Sequence, residues 1–151
     1  MVENSKQLTI QSNIRSLLRD LGFLLDDRLR DLRKDTRYAH VRNSDVKVFV
    51  RASRYPSTLA EIARSLRVSR QAVHLSVKRL QALGVVELVA QPNNRRDKQV
   101  QITERGKQAE SIAAAQIATI ESEMAAVIGS DGVTLFRTLL TKLIKDLTPP
   151  A

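Results

Sequence analysis

Ser69, Arg70, Gln71, His74, Lys78 and Arg79 fall close together in the stretch VSRQAVHLSVKRL, and all six can donate hydrogen bonds. The mixture suits a polyanion that also carries a readable pattern. An arginine fork matches the two acceptors of guanine in the major groove, and a glutamine amide matches the acceptor and donor of adenine. Lysine is a compact point charge suited to phosphate. By these rules Arg70 and Gln71 suit base edges, Ser69 and His74 suit bases or phosphates, and Lys78 and Arg79 suit the backbone. A second basic cluster, Arg95, Arg96 and Lys98, follows in QPNNRRDK. Arginine at a loop tip suits a narrow minor groove, whose negative potential is enhanced.

For the first cluster to face outward, its carrier must be a helix with the opposite face buried. Val73, Val77 and Leu80 recur at spacings of four and three, which makes them one apolar stripe. Ser69 can cap that helix, and Leu83-Gly84 ends it with the residue best able to turn left-handed. Upstream, Thr58 and Glu61 have the spacing of a capping box and open a helix burying Leu59, Ile62, Ala63 and Leu66. Arg67-Val68 makes a tight turn between the two helices. Downstream, Val85 to Val89 reads as a strand and Gln99 to Thr103 as its partner, joined by a basic hairpin loop from Gln91 to Lys98. Ile62, Leu66, Val68, Val73, Val77 and Leu80 form the expected core, with Ala63 where two helices approach closely. The succession is that of a winged helix-turn-helix, whose second helix enters the DNA major groove.

Charge agrees with that placement. The 151-residue chain has 25 Lys and Arg against 16 Asp and Glu, a net charge of +9. Residues 44–107 hold 13 basic and 5 acidic residues, whereas residues 1–43 hold 9 and 6, and residues 108–151 hold 3 and 5. Charge kept only for solubility has no reason to collect on one motif; a site for a polyanion does. The chain has no cysteine, which excludes disulfides and thiolate zinc sites. His40 and His74 lie on separate segments, a poor basis for a metal site. Asp27, Asp31 and Asp35 repeat every four residues, but Arg30 and Lys34 among them make this ordinary helix charge pairing. There is neither a nucleophile motif nor a Gly-rich phosphate cradle, so no enzyme and no cofactor are expected. The start MVENSKQLTI lacks the layout of a secretion signal, and no apolar run approaches about 18 residues. A soluble cytoplasmic protein without a membrane partner is expected.

On either side of the motif the pattern is helical. Residues 8–35 read as one helix on Leu8, Ile14, Leu17, Leu18, Leu21, Leu24, Leu25, Leu29 and Leu32. Gly22 interrupts it at about 1 kcal/mol relative to Ala, which suggests close packing or a slight bend. Ser44 can cap a short helix through about Ala52 with Val46, Phe49 and Val50 inward, before Arg54-Tyr55-Pro56 breaks it. Thr103 caps a helix from Glu104 through Ile128, and Gly129-Ser130-Asp131-Gly132 separates it from a last helix ending near Leu147. The expected fold is mainly α with a small β-hairpin. A winged helix-turn-helix over 44–107 is flanked by N- and C-terminal dimerisation helices over 8–35 and 104–147, the whole of 1–151 forming one domain.

The stretch STLAEIARSLRVSRQAVHLSVKRLQALGVVELVAQPNNRRDKQVQITERGK, Ser57 to Lys107, resembles the MarR family of bacterial transcriptional regulators. VSRQAV and VKRLQALGVVE look like the family's recognition helix and following strand. NNRRDKQVQITERGK is similar to its wing, in which Arg96, Ile102-Thr103 and Gly106 match the usual Arg, Leu-Thr and Gly. Asn94 replaces the usual Asp, removing a charge-assisted bond that could orient the arginine. Arg67 stands where the turn often has Gly, which implies a backbone cost or a different turn. The resemblance implies a homodimer joined by the first and last two helices. It also implies a palindromic operator on double-stranded DNA, usually repression, and often release by a small aromatic or phenolic ligand between the dimer and DNA-binding parts. Two helices per symmetric pair would then lie about one DNA turn apart. A protein-interaction adaptor and a sequence-neutral architectural DNA-binding protein are the rival readings, and a discrete two-fold footprint separates them from a regulator.

Overall fold

A computed structural model describes residues 13–91 and 94–149. In chain order the elements are α1 (Ile14–Arg33), α2 (Asn43–Arg54), β1 (Ser57–Thr58), α3 (Leu59–Leu66), α4 (Arg70–Ala82), β2 (Val86–Gln91), β3 (Asn94–Ile102) and α5 (Glu104–Leu147). The described residues form two units, one of 33–91 with 94–114 and one of 13–32 with 115–149.

The first unit is a winged helix-turn-helix. Helix α3 starts where its capping box closes: Thr58 Oγ1 accepts from the Glu61 N–H at 3.3 Å, and the Glu61 carboxylate accepts from the Thr58 N–H at 2.8 Å. It ends at Arg67, whose backbone is left-handed (φ 54, ψ 44) and whose N–H meets the carbonyls of Ala63 and Arg64. Ser69 then caps α4, its Oγ accepting from the Ala72 N–H at 3.1 Å. Gly84, at φ 73, turns the chain out of α4. These are the caps and stops expected from the sequence.

Val73, Val77 and Leu80 of α4 are 0%, 1% and 2% exposed and pack with Ile62, Ala63, Val85, Val86 and Val100. Burial of each such side chain contributes roughly 1.5–3 kcal/mol, so this stripe adds several kcal/mol to the unit's stability. Two core assignments need correction. Val68 is 46% exposed, because the left-handed turn at Arg67 swings it off the stripe. In α2 the buried set is Asp45, Val48, Phe49 and Ala52, while Val50 is exposed. The helix opens after Arg42, and Asp45, not Ser44, accepts the Arg42 N–H at 3.4 Å.

The sheet has three antiparallel strands in the order β1-β3-β2, one more than a hairpin. Strand β1 pairs Ser57 with Val100 and Thr58 with Gln99. Strand β3 begins at Asn94, earlier than expected, so Arg95, Arg96 and Lys98 belong to a strand and not to the loop tip. The register slips beside it: Ala90 pairs with Lys98 but Gln91 with Asn94, which leaves 95–97 in an irregular stretch. At the other end of the sheet Thr103 Oγ1 donates to the Gly84 carbonyl at 2.6 Å and accepts from the Gly106 N–H at 3.0 Å. A Cβ on Gly106 would stand 2.2 Å from the Val85 carbonyl oxygen and 2.5 Å from Ile102 Cγ2. The glycine is there because strand and helix backbones touch.

One polar contact ties α4 to α2. Arg79 Nη2 donates to Asp45 Oδ1 at 2.6 Å, its Nε donates to Oδ2 at 3.0 Å, and its Nη2 also donates to Ser76 Oγ at 3.1 Å. The Asp45 side chain is 2% exposed and that of Arg79 is 35% exposed. Burial alone would raise the Asp45 carboxyl, but bonds from Arg79, Ser76 and the Arg42 backbone outweigh it and hold the group below the ordinary aspartate value.

The second unit pairs α1 with the later part of α5. The ion pair Arg28–Glu123 closes at 2.6 Å, and Gln116 Nε2 donates to the Leu32 carbonyl at 3.2 Å. Arg30 pairs with Asp27 at 2.8 Å, as helix charge pairing requires. Gly129 interrupts α5 with non-helical dihedrals (φ 78, ψ 158), at the break expected from the sequence. A Cβ on Gly22 would meet nothing within 4 Å among the described residues of this chain. Leu8 lies outside the described residues. An apolar groove of about 250 Å³ is lined by Leu25, Leu29, Ile120, Met124, Phe136 and Leu140, with the Glu121–Arg137 pair (2.7 Å) on its wall. Among the described helices α5 alone is long and apolar enough to cross a bilayer, although its apolar run is broken by polar residues.

Gly106→Ala should cost about 3 kcal/mol or more by forcing β2 from α5, read as a lower urea midpoint with an unchanged slope. Asp45→Ala should cost about 1–3 kcal/mol, since it strips three donors of their acceptor. Because the folded carboxyl titrates below its unfolded value, this contribution is complete above that unfolded value and fades as pH falls through the folded one. The stability gap between the parent chain and Asp45→Asn should therefore narrow below about pH 4.

Candidate nucleic-acid interface

The candidate interface is the outward face of α4. Because Val73, Ser76, Val77 and Leu80 are buried, the residues left outside include Arg70, Gln71, Leu75 and Lys78, all exposed. Arg70 and Gln71 occupy the first turn, where backbone N–H groups are unsatisfied and the helix dipole favours an anion. Ser69 is exposed beside them, with its oxygen already engaged in capping. Helix α4 contains no acidic residue, so nothing on its own face neutralises the cations.

Two of the six expected side chains are placed differently. His74 is half-buried at the edge of the face. Arg79, expected at the phosphate backbone, has its guanidinium engaged by Asp45 and Ser76. A partner 34 positions away leaves no trace in local spacing. Leu75, 45% exposed between Gln71 and Lys78, was not among the candidates. Its signal was available: it falls outside the stripe of Val73, Val77 and Leu80, and an exposed leucine on a groove-facing helix can meet a thymine methyl.

On the wing, Lys98 is exposed and pairs through its backbone with Ala90. The side chains of Arg95 and Arg96 lie outside the described set. Arg51 is turned inward: its Nε donates to Ser65 Oγ at 3.1 Å, its Nη1 to Ser57 Oγ at 2.9 Å, and its guanidinium lies 5.5 Å from the Tyr55 ring centre. It braces α2 against α3 and β1. Among the described residues no group of three His, Cys, Asp or Glu side chains could hold a metal ion.

Residues 49–97 match the model of the MarR family, a span covering α3, α4 and the start of the wing. No curated protein matches the sequence. Solved structures match over most of the chain. A MarR-family transcriptional regulator from Rhodococcus sp. RHA1 superposes with a TM-score of 0.74 at 20% identity, covering 89% of this chain and 94% of its own. The transcriptional repressor CouR, bound to a 23-mer DNA duplex, gives 0.72 at 17% identity and covers 95% and 99%. FabT of Streptococcus pneumoniae, in complex with DNA, gives 0.69 at 17% identity and covers 88% and 93%. The family model thus falls on the helix-turn-helix of this chain, and the winged-helix fold of these structures extends over most of its length.

Proposed function

We propose that this protein is a regulator that binds double-stranded DNA in the cytoplasm, as a homodimeric repressor of a palindromic operator. The observation that carries the reading is the face of α4: Arg70, Gln71 and Lys78 exposed together, without an acidic residue on the helix, behind a fully buried stripe. Arg70 and Gln71 read base edges, Ser69 and Lys78 hold phosphate, and His74 borders the groove. Arg95, Arg96 and Lys98 of the wing meet the adjacent minor groove. Arg79 acts from behind, by holding α4 against Asp45.

The dimer is supported by apolar side chains without neighbours. Phe23 and Leu24 of α1 are 62% and 67% exposed, and Val127, Ile144 and Leu147 of α5 are 84%, 68% and 77% exposed. That much exposed aliphatic surface marks an interface. A two-fold pair of α4 helices then reads half-sites about one DNA turn apart. Release of DNA by a small aromatic or phenolic ligand belongs to the same reading and rests on the family resemblance alone.

Arg70→Ala should weaken binding to the cognate operator by about 1–3 kcal/mol, concentrated at one base position, with little loss on random DNA. Lys78→Ala should weaken binding to all duplexes and lower the salt slope by about one unit. Anisotropy titrations at several salt concentrations measure both. Equal loss on cognate and random DNA for Arg70→Ala rejects its base-reading role. Light scattering should give twice the chain mass, and a monomer rejects the symmetric operator.

A further inference from the structure

Arg67 is the single non-glycine residue with a positive φ among the described residues, at φ 54 and ψ 44. The turn requires that conformation. The Arg67 N–H meets the carbonyls of Ala63 and Arg64, and the Val68 N–H reaches the Ala63 carbonyl at 3.1 Å, which closes the end of α3. Glycine adopts this backbone without steric penalty, whereas a side chain bearing Cβ does so at a cost. The arginine brings no visible compensation within the chain. It is exposed, and it has neither an ion pair nor a side-chain hydrogen bond among the described residues. Arg64 and Arg70 beside it are exposed cations of the same kind, whereas Arg51 and Arg79 are each held by named acceptors. Arg67 also stands two residues before the Ser69 cap and three before Arg70, beside the exposed Arg64. A strained, unpartnered cation thus sits at the entrance of the helix that carries the interface. Backbone strain of this kind clusters at functional sites.

We propose that Arg67 is a DNA-phosphate contact, which clamps the strand beside the groove that α4 enters. It would add affinity for every duplex without reading sequence, because phosphate carries none. The proposal rests on the DNA-binding reading of α4 and assigns the turn a part in it.

The test is the full-length Arg67→Gly protein, compared with Arg67→Lys and the parent chain, on cognate and random duplexes. Glycine relieves the backbone, so the melting temperature of Arg67→Gly should be unchanged or higher by about 2 °C. Its affinity should nevertheless fall roughly three- to tenfold on both duplexes, with the salt slope reduced by about 0.9, the value of one lost phosphate contact. Arg67→Lys keeps the charge and should retain most of the affinity and the slope. A more stable protein that binds less well separates a contact from a structural role. Parent-like affinity and salt slope in Arg67→Gly overturn the proposal while leaving DNA binding itself intact. A lower melting temperature with an unchanged slope also overturns it, and marks the side chain as structural. If the parent chain binds no duplex at any ionic strength, the DNA-binding reading itself falls and takes this assignment with it.

Discussion

One helix carries both the buried stripe of the core and the candidate interface, and that double duty governs the rest of the structure. Val73, Val77 and Leu80 are almost completely buried, so α4 has only one rotational setting about its axis. Turning it by one residue would expose a valine and bury an arginine, which costs several kcal/mol from lost apolar burial and an unpaired charge. Every outward side chain on α4 is therefore fixed by three inward ones. The Asp45–Arg79 pair adds direction to what the apolar stripe leaves free. Apolar contact resists rotation but tolerates sliding, whereas a carboxylate gripped by two guanidinium nitrogens, one of them also bonded to Ser76, resists both.

The sheet depends on a different constraint, the near contact of two backbones. Gly106 lies against the Val85 carbonyl, and Thr103 bonds both Gly84 and Gly106. The end of α4, the start of β2 and the start of α5 are thus joined within a few residues of one another. Strand β3 is held between β1 and β2, so the wing extends from a strand paired on both sides. That gives the basic segment Asn94 to Lys98 a fixed root, even though the register slips beside it.

How much of this was legible depended on the range of the interaction. Caps and stops are local, and those at Thr58, Ser69, Gly84, Thr103 and Gly129 stand where the sequence puts them. The stripe of α4 was legible because its period is unbroken. In α2 the pattern misled, since a buried aspartate interrupts the apolar face and its reason lies 34 positions downstream. Strand β1 is two residues long and offers no alternation to read. The early start of β3 was hidden because Asn94 to Asp97 are polar, and polar residues in a row resemble a loop until their backbone partners are known. Arg67 was the informative intermediate case. Its type alone announced a cost at the turn, but only the left-handed dihedrals identified which cost it was.

The two units differ in how completely they solve the burial problem. Residues 33–114 close a core of their own, with Ile62, Val73 and Val100 at 0% exposure. Residues 13–32 and 115–149 bury few large side chains and leave Phe23, Leu24, Val127 and Ile144 mostly open. Leucine, isoleucine and alanine on long helices are not wasted by selection on a surface that gains nothing from them. The homodimer proposed above would cover the apolar surface that the second of these units leaves open. In that proposal the open apolar surface would supply the energy of association, and the closed unit would be duplicated without change. Two copies of a modest interface on one duplex would act at high effective concentration, so affinity would rise far beyond what one α4 could supply. In the proposed dimer, the exposed apolar surface of one unit and the positive charge of the other would serve the same two-fold pairing.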